Sequence, residues 1–369
     1  MDVMGLFQVK PRLLALGEPT HGEDDLLRVR NDLFRHLVEQ HGYRTITLES
    51  DCLMGLLVDD YVTAGAGTLD DVMARGFSHE WGAFAGNREL VSWMREHNHG
   101  RPGYDQVRFA GFDGPLEISH AASPRHALTA LHACLAGELD ADLTDTLDRL
   151  LGPDDRWTDP AVMWDPSKSI GRTPEAGQLR LLADDLAALV DTRIGDQDWH
   201  RARLYARTAV GLLRYHYWMA DTSPRRLTRL AGQRDSMMAA NLLALAGQGP
   251  TLAYAHNSHL QRDQSSMRMG GRLLEWWGAG AIVNAHLGPG YGFVATAVGT
   301  IHHHGVGTPP PDTIEGLLYA QPRSIVDPRT LIDAKPAART SPWYGYAPLD
   351  PAYLTRYDGI VFVQDAEQR

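Results

Sequence analysis

LLALGEPTHGEDDLLRVRNDLFRHLVEQHGYRTITLES, residues 13–50, decides the fold. Its first run, Leu13-Leu14-Ala15-Leu16, is apolar and ends at Gly17-Glu18. Its last, Thr45-Ile46-Thr47-Leu48, ends at Glu49. Between them Leu26, Leu33, Phe34, Leu37 and Val38 fall on one helical stripe. Short apolar runs separated by a helical pattern are what strands covered on both faces by helices look like. Strand, helix and strand joined in this way run parallel, because the crossover returns the chain to the same end of the sheet.

The pattern extends outward. Val107 to Phe112 ends at Asp113, Leu252-Ala253-Tyr254-Ala255 ends at His256, and Ile282-Val283 and a last run over 359–364 complete the predicted strands. Residues 125–222 carry no strand signal. Leu128, Leu131 and Leu135, then Leu179, Leu182, Leu186 and Leu189, recur there at helical spacing. A further helix over 225–247 precedes the 251–255 strand. The proline-rich stretch 305–358 predicts long loops. The expectation is an α/β fold, a mainly parallel sheet flanked by helices with an inserted all-helical segment. Residues 1–122 and 223–369 form the catalytic core, and 123–222 form the insertion that shapes the substrate cleft.

Composition narrows the function classes. Apolar residues make up 43% and charged residues 22% of the chain, ordinary values for a water-soluble protein. No apolar run approaches the ~20 residues that span a bilayer, and the first residues lack a basic leader followed by an apolar stretch. The expectation is a cytoplasmic protein with no membrane partner. Cys52 and Cys134 have no CxxC spacing, which disfavours a disulfide framework or a thiolate zinc site. A formal charge of −11, spread along the chain, argues against nucleic acid, which wants concentrated Lys and Arg.

Parallel strands gather their C-terminal ends on one edge, where open α/β sheets bind ligands. Glu18 and Glu49 stand at such ends. Thr20-x-x-Glu23 matches a capping box, which predicts His21 in the first turn of the following helix, its imidazole kept neutral by the helix-start amides. Arg30 falls on the apolar stripe and must find partners inside; Glu18 and Glu49 are the expected ones. His256-Asn257-Ser258-His259 leaves the 251–255 strand at the same edge. Just upstream, Arg234 and Asn241 interrupt a helical face with Met237, Met238 and Leu242. His302-His303-His304, read as strand residues with alternating side chains, are set aside as structural. There is no GxSxG elbow and no HExxH, which disfavours a serine acyl-enzyme or a zincin.

Taken together these pieces resemble the erythromycin esterase family. The resemblance rests on Leu16-Gly17-Glu18-Pro19-Thr20-His21-Gly22, Arg30, Leu48-Glu49 and Arg108-Phe109-Ala110-Gly111-Phe112-Asp113. It continues through Arg234-Asp235-x-x-Met238-Ala239-x-Asn241, Ala255-His256-Asn257-x-His259 and Met269-Gly270-x-x-Leu273, in the family's order. It implies metal-independent hydrolysis of an ester or macrolactone without a serine nucleophile. His21 would activate water, supported by Glu18, Glu49, Arg30, His256 and His259, one of the two last donating to the oxyanion or leaving group. Arg234, Asn241 and Asp113 would bind substrate, a small-molecule ester, lactone or polyketide-like compound, and no cofactor is expected. Two alternatives stay open. One is a biosynthetic cyclase or dehydratase using the same pocket. The other is a divalent-metal or haem-binding protein whose ligands would be Glu18, His21, Glu49, His256 and His259.

Overall fold

A computed structural model describes residues 2–117, 120–135, 139, 142–193, 199–269, 271–321 and 323–367. Nine strands are found among them: β1 Leu13–Glu18, β2 Thr45–Asp51, β3 Arg108–Asp113, β4 Thr251–His256, β5 Gln264–Met269, β6 Arg272–Trp277, β7 Tyr291–Thr300, β8 Arg323–Val326 and β9 Gly359–Asp365. Seven form one sheet in the order β3-β2-β4-β1-β7-β9-β8. Every pair in it is parallel except β8 with β9, so the sheet is mainly parallel and flanked by helices, as expected. β5 and β6 form a separate antiparallel hairpin.

β1 lies at the centre and is buried over its whole length. Its side chains alternate between two apolar layers, as the strand period of two requires. Leu14 and Leu16 pack with Leu26, Leu33, Phe34 and Leu37 of the helix Asp24–His41 on one face. Leu13 and Ala15 pack with Met238, Leu242 and Phe293 on the other. Each fully buried Leu or Phe in these layers contributes about 1.5–3 kcal/mol relative to exposure. The helix Asp24–His41 carries Asp24 and Asp25 in its first turn, where the dipole favours anions. It stops at Gly42, whose φ of 66° lies in the left-handed region that a side chain disfavours.

Residues 125–219 hold helices and no strand where described, with Arg125–Leu135, Leu143–Leu151, Pro174–Asp191 and Trp199–Met219 as the long elements. Leu128, Leu147, Leu151, Trp157, Leu179 and Leu213 give this block an apolar cluster of its own. The helix Arg226–Gln248 connects it to the sheet through Met238 and Leu242. Among the described residues no helix is long and apolar enough to cross a membrane.

Several sequence expectations are corrected. Ile282 and Val283 belong to the helix Ala279–Leu287, not to a strand. The strand in that region is β7, and the proline-rich stretch holds the short edge strand β8. His302–His304 form a 3₁₀ turn after β7 rather than a strand. Gly270, part of the motif carrying the resemblance, and Pro322 lie outside the described residues.

Candidate active site

The C-terminal ends of β3, β2, β4 and β1, four neighbours in the sheet, deliver Asp113, Glu49, His256 and Glu18 to one edge. Glu18 and His256 are register partners across β1 and β4. The β2–β3 register shifts between Leu48 and Asp51, which re-aims Glu49 out of the regular pleat. Glu49 then accepts the backbone N–H of His256 at 2.9 Å, so a carboxylate continues the ladder where the strand stops.

His21 sits in the loop before the helix, not in its first turn. The helix begins at Asp24 with Glu23 as N-cap, and no side-chain cap forms, so the expected capping box is absent. His21 Nδ1 lies 2.7 Å from Glu18 Oε1, and Nε2 lies 4.0 Å from Glu49 Oε2. Its side chain is 41% exposed, against 1% for Glu18. Trp81 stands 5.4 Å from the imidazole and His256 5.5 Å, ring centre to ring centre. Glu18 also accepts the hydroxyl of Tyr254 through Oε2, so both its oxygens are engaged. Burial pulls the His21 pKa down, but the Glu49 and Glu18 carboxylates outweigh it and leave the ring more basic than its ordinary 6.5. This reverses the expected direction, because the flanking carboxylates face the ring and it lies outside the helix.

Arg30 is fully buried, as its place on the stripe predicted, but its partners are different. It donates to Asn31 Oδ1 at 2.8 Å, Asn87 Oδ1 at 2.8 Å and the Gly86 carbonyl at 3.3 Å, and it reaches neither glutamate. Its guanidinium lies 5.0 Å from the centre of the Tyr254 ring. Asn87 in turn donates to the Trp81 carbonyl at 2.9 Å. Arg30 therefore holds Tyr254 and Trp81, two neighbours of the Glu18–His21 pair, and acts on that pair through them.

The cation on Glu49 is Arg234, at 3.3 Å, and the same side chain grips Asp113 at 2.6 and 3.0 Å. His259 adds a second, with Nε2 at 3.3 Å from Glu49 and Nδ1 at 2.9 Å from Asp235. Burial would push Glu49 up, but His259, His21, Arg234 and the His256 amide hold it well below the usual carboxylate range. Burial would likewise lower His259, but Asp235 and Glu49 raise it to about 9, so it is an imidazolium at neutral pH. His256 is the opposite case: burial first, then the nearby His21, depress it to about 3. Its Nδ1 accepts from the Ser258 N–H, and its Nε2 donates to the Pro19 carbonyl at 3.2 Å, the tautomer that this network requires. Both nitrogens of His256 and of His259 are thus occupied by protein groups.

Asn257 explains why Gly17 precedes Glu18. Its amide brackets Thr296 of β7, donating to the carbonyl at 3.0 Å and accepting the N–H at 3.3 Å. A Cβ on Gly17 would lie 2.1 Å from that amide oxygen. Asn241 is spent on structure, donating to the Phe112 carbonyl at 3.1 Å and accepting from Arg207 at 3.2 Å. Asp113 is fully buried under Arg234.

Four residues at the site were given no role in it by the sequence. Asp235 accepts from His259, Trp276 Nε1 at 2.6 Å and the Ala279 N–H at 2.8 Å. Its signal was an acid on the buried face of Met238, Ala239 and Leu242. Tyr254 was a hydroxyl aromatic in the otherwise apolar run 252–255. Trp81, expected from the sequence to be core or a pocket wall, is buried and stands against the His21 ring. His79 holds a left-handed φ of 56° and places Nδ1 2.7 Å from Glu117 and Nε2 3.6 Å from Asp113.

Comparison with known proteins follows the same outline. The family model described as erythromycin esterase matches residues 38–366. No curated protein matches the sequence. Among solved structures, a Bacillus cereus protein aligns with TM-score 0.72 at 16% identity, covering 96% of this chain and 88% of that one. A succinoglycan biosynthesis protein gives TM-score 0.70 at 14% identity, covering 96% and 88%. A substituted erythromycin esterase EreC in its open conformation gives 0.66 at 18% identity, covering 97% and 91%. At these identities the likeness speaks for the fold.

Proposed function

This chain belongs to the erythromycin esterase family, and from that premise we propose that it hydrolyses a small-molecule ester or macrolactone with His21 as general base. The observation that carries the reading is the Glu18–His21 pair at 2.7 Å, with the imidazole at the solvent side and the carboxylate buried. Glu18 accepts a hydrogen bond from Nδ1–H and fixes the tautomer, which leaves Nε2 as the basic nitrogen. Water gives its proton to Nε2 as its oxygen adds to the ester carbonyl. The tetrahedral intermediate then collapses, the carbon–alkoxide bond breaks, and the His21 imidazolium returns the proton to the leaving alkoxide.

Glu49 is an anion beside the imidazolium that forms in this step, and Arg234 and His259 keep it one. That assigns His259, Asp235 and Arg234 to positioning rather than to proton donation. His256, neutral and fully hydrogen-bonded, stands 5.5 Å from the His21 ring, centre to centre, and takes no proton in this scheme. The same arrangement supports hydrolysis without a metal at this cluster, because two cations already occupy the acidic centre and the nitrogens of His256 and His259 are engaged.

The test is a panel of macrolide lactones and simple esters incubated with enzyme before and after exhaustive chelation. Products heavier by one water, formed equally well by chelated enzyme, are expected. Turnover that disappears on chelation and returns only with added metal would contradict the reading, as would a failure to open any ester.

A further inference from the structure

The loop that carries His21 ends in Glu23, and the turn after β7 carries His302–His304. β7 is the parallel neighbour of β1, so both segments leave the sheet at the same edge. The 3₁₀ turn brings two rings to one side, which a strand could not do. His303 Nε2 lies 3.1 Å and His304 Nε2 3.8 Å from Glu23 Oε1, and one ligand atom from each of the three residues falls within 4.8 Å of the others. Ligand atoms about 2.0–2.1 Å from a tetrahedral ion stand roughly 3.3 Å apart, which is close to the spacing here.

A second observation points to a cation. Glu23 is 2% exposed, and its Oε2 is buried without a hydrogen-bond partner. A buried carboxylate oxygen left unanswered is costly, and an ion held by both oxygens of Glu23 would answer it. The His304 ring is held in place by stacking on Trp343, with ring centres 3.6 Å apart and planes 12° from parallel. Both histidines are about one-third exposed, which leaves a path for an ion and for a water to complete its shell.

We propose that Glu23, His303 and His304 form a site for a Zn²⁺-type ion that ties the His21 loop to the turn after β7. Two imidazoles and one carboxylate suit a borderline transition ion, whereas Mg²⁺ and Ca²⁺ prefer an all-oxygen shell. The site shares no side chain with the Glu18–His21–Glu49 cluster, so its role is to stabilise the fold where the two segments meet, with turnover retained by the metal-free protein, and the proposal stands apart from the hydrolytic reading.

The experiment uses tag-free, metal-free full chain titrated with Zn²⁺ by calorimetry, with Co²⁺ as a spectroscopic probe. One ion per chain, visible absorption of low-symmetry cobalt and a rise in Tm with Zn²⁺ are expected. His303→Ala and His304→Ala should each weaken binding at least tenfold and remove the rise in Tm. Glu18→Gln and His256→Ala should leave the affinity unchanged. Glu23→Gln should behave like the histidine variants. If that buried change prevents folding, the two part-exposed histidines carry the test, with metal-free melting curves checking their fold. No stoichiometric binding, or binding that survives His303→Ala and is lost in Glu18→Gln, would overturn the proposal.

Discussion

His21 and Glu18, three residues apart in sequence, meet at 2.7 Å across the turn that ends β1. Tyr254 fixes the second oxygen of the same carboxylate, so the buried member is an anchor and the exposed member is the one proposed to work on substrate. Glu18→Gln keeps the size but removes the charge and disturbs the tautomer. It should lower kcat by on the order of 10²-fold or more, within the ~10²–10⁴-fold that a general base supplies, with KM little changed. The base must be neutral to act, so kcat/KM should rise with pH through the His21 pKa, which lies above its ordinary 6.5. The variant should move that limb to lower pH, because the Glu18 hydrogen bond and charge raise the pKa. A limb below 6.5 in the native enzyme, or near-normal turnover in the variant, would contradict the assignment.

Arg30→Met tests action at one remove. Arg30 donates to Asn31, Asn87 and the Gly86 carbonyl, so removing it strands buried acceptors and should cost on the order of 2–4 kcal/mol of stability. Because Tyr254 and Trp81 lose their support, kcat should fall in the fraction that remains folded, with the position of the pH limb retained. Arg30→Lys should recover little, since an ammonium cannot reproduce the planar fork. Unchanged Tm and unchanged kcat in Arg30→Met would show that the residue positions nothing.

The edge of the sheet was legible in the sequence because apolar runs ending in Glu18, Glu49, Asp113 and His256 announce parallel strands and name their ends together. Partner choice was not legible. Position on an apolar stripe said that Arg30 points inward, but long-range packing decided that Asn87 and the Gly86 carbonyl meet it while Arg234 takes Glu49. β7 escaped because Gly292, Ala295, Thr296, Ala297, Gly299 and Thr300 dilute its apolar signal, although all ten of its residues are buried. The capping-box reading of Thr20 and Glu23 failed because Thr20 is buried and the helix starts only at Asp24. The strand reading of His302–His304 failed with the boundary of β7, which ends at Thr300.

His259 makes stability depend on alkaline pH. Its folded pKa of about 9 lies above the unfolded 6.5, so the folded state binds the extra proton. Its contribution is fully present below about 6.5 and is lost as pH rises through about 9. Tm should therefore decline over that window. Asp235→Asn removes the carboxylate that raises the pKa, and should lower Tm near neutrality while flattening the decline. An equally steep alkaline decline in Asp235→Asn would contradict the pairing.

In the proposed reaction water, activated by His21, attacks the ester directly and no serine or cysteine is acylated. The most direct measurement is a single turnover of a hydrolysed lactone or ester in ¹⁸O-labelled water, with the intact mass of the enzyme followed through the reaction. Label is expected in the product acid within that first turnover, with no acyl adduct on the enzyme at any time and with this turnover lost in His21→Ala. A trapped acyl-enzyme, or a His21→Ala protein that turns over at a near-normal rate, would contradict it.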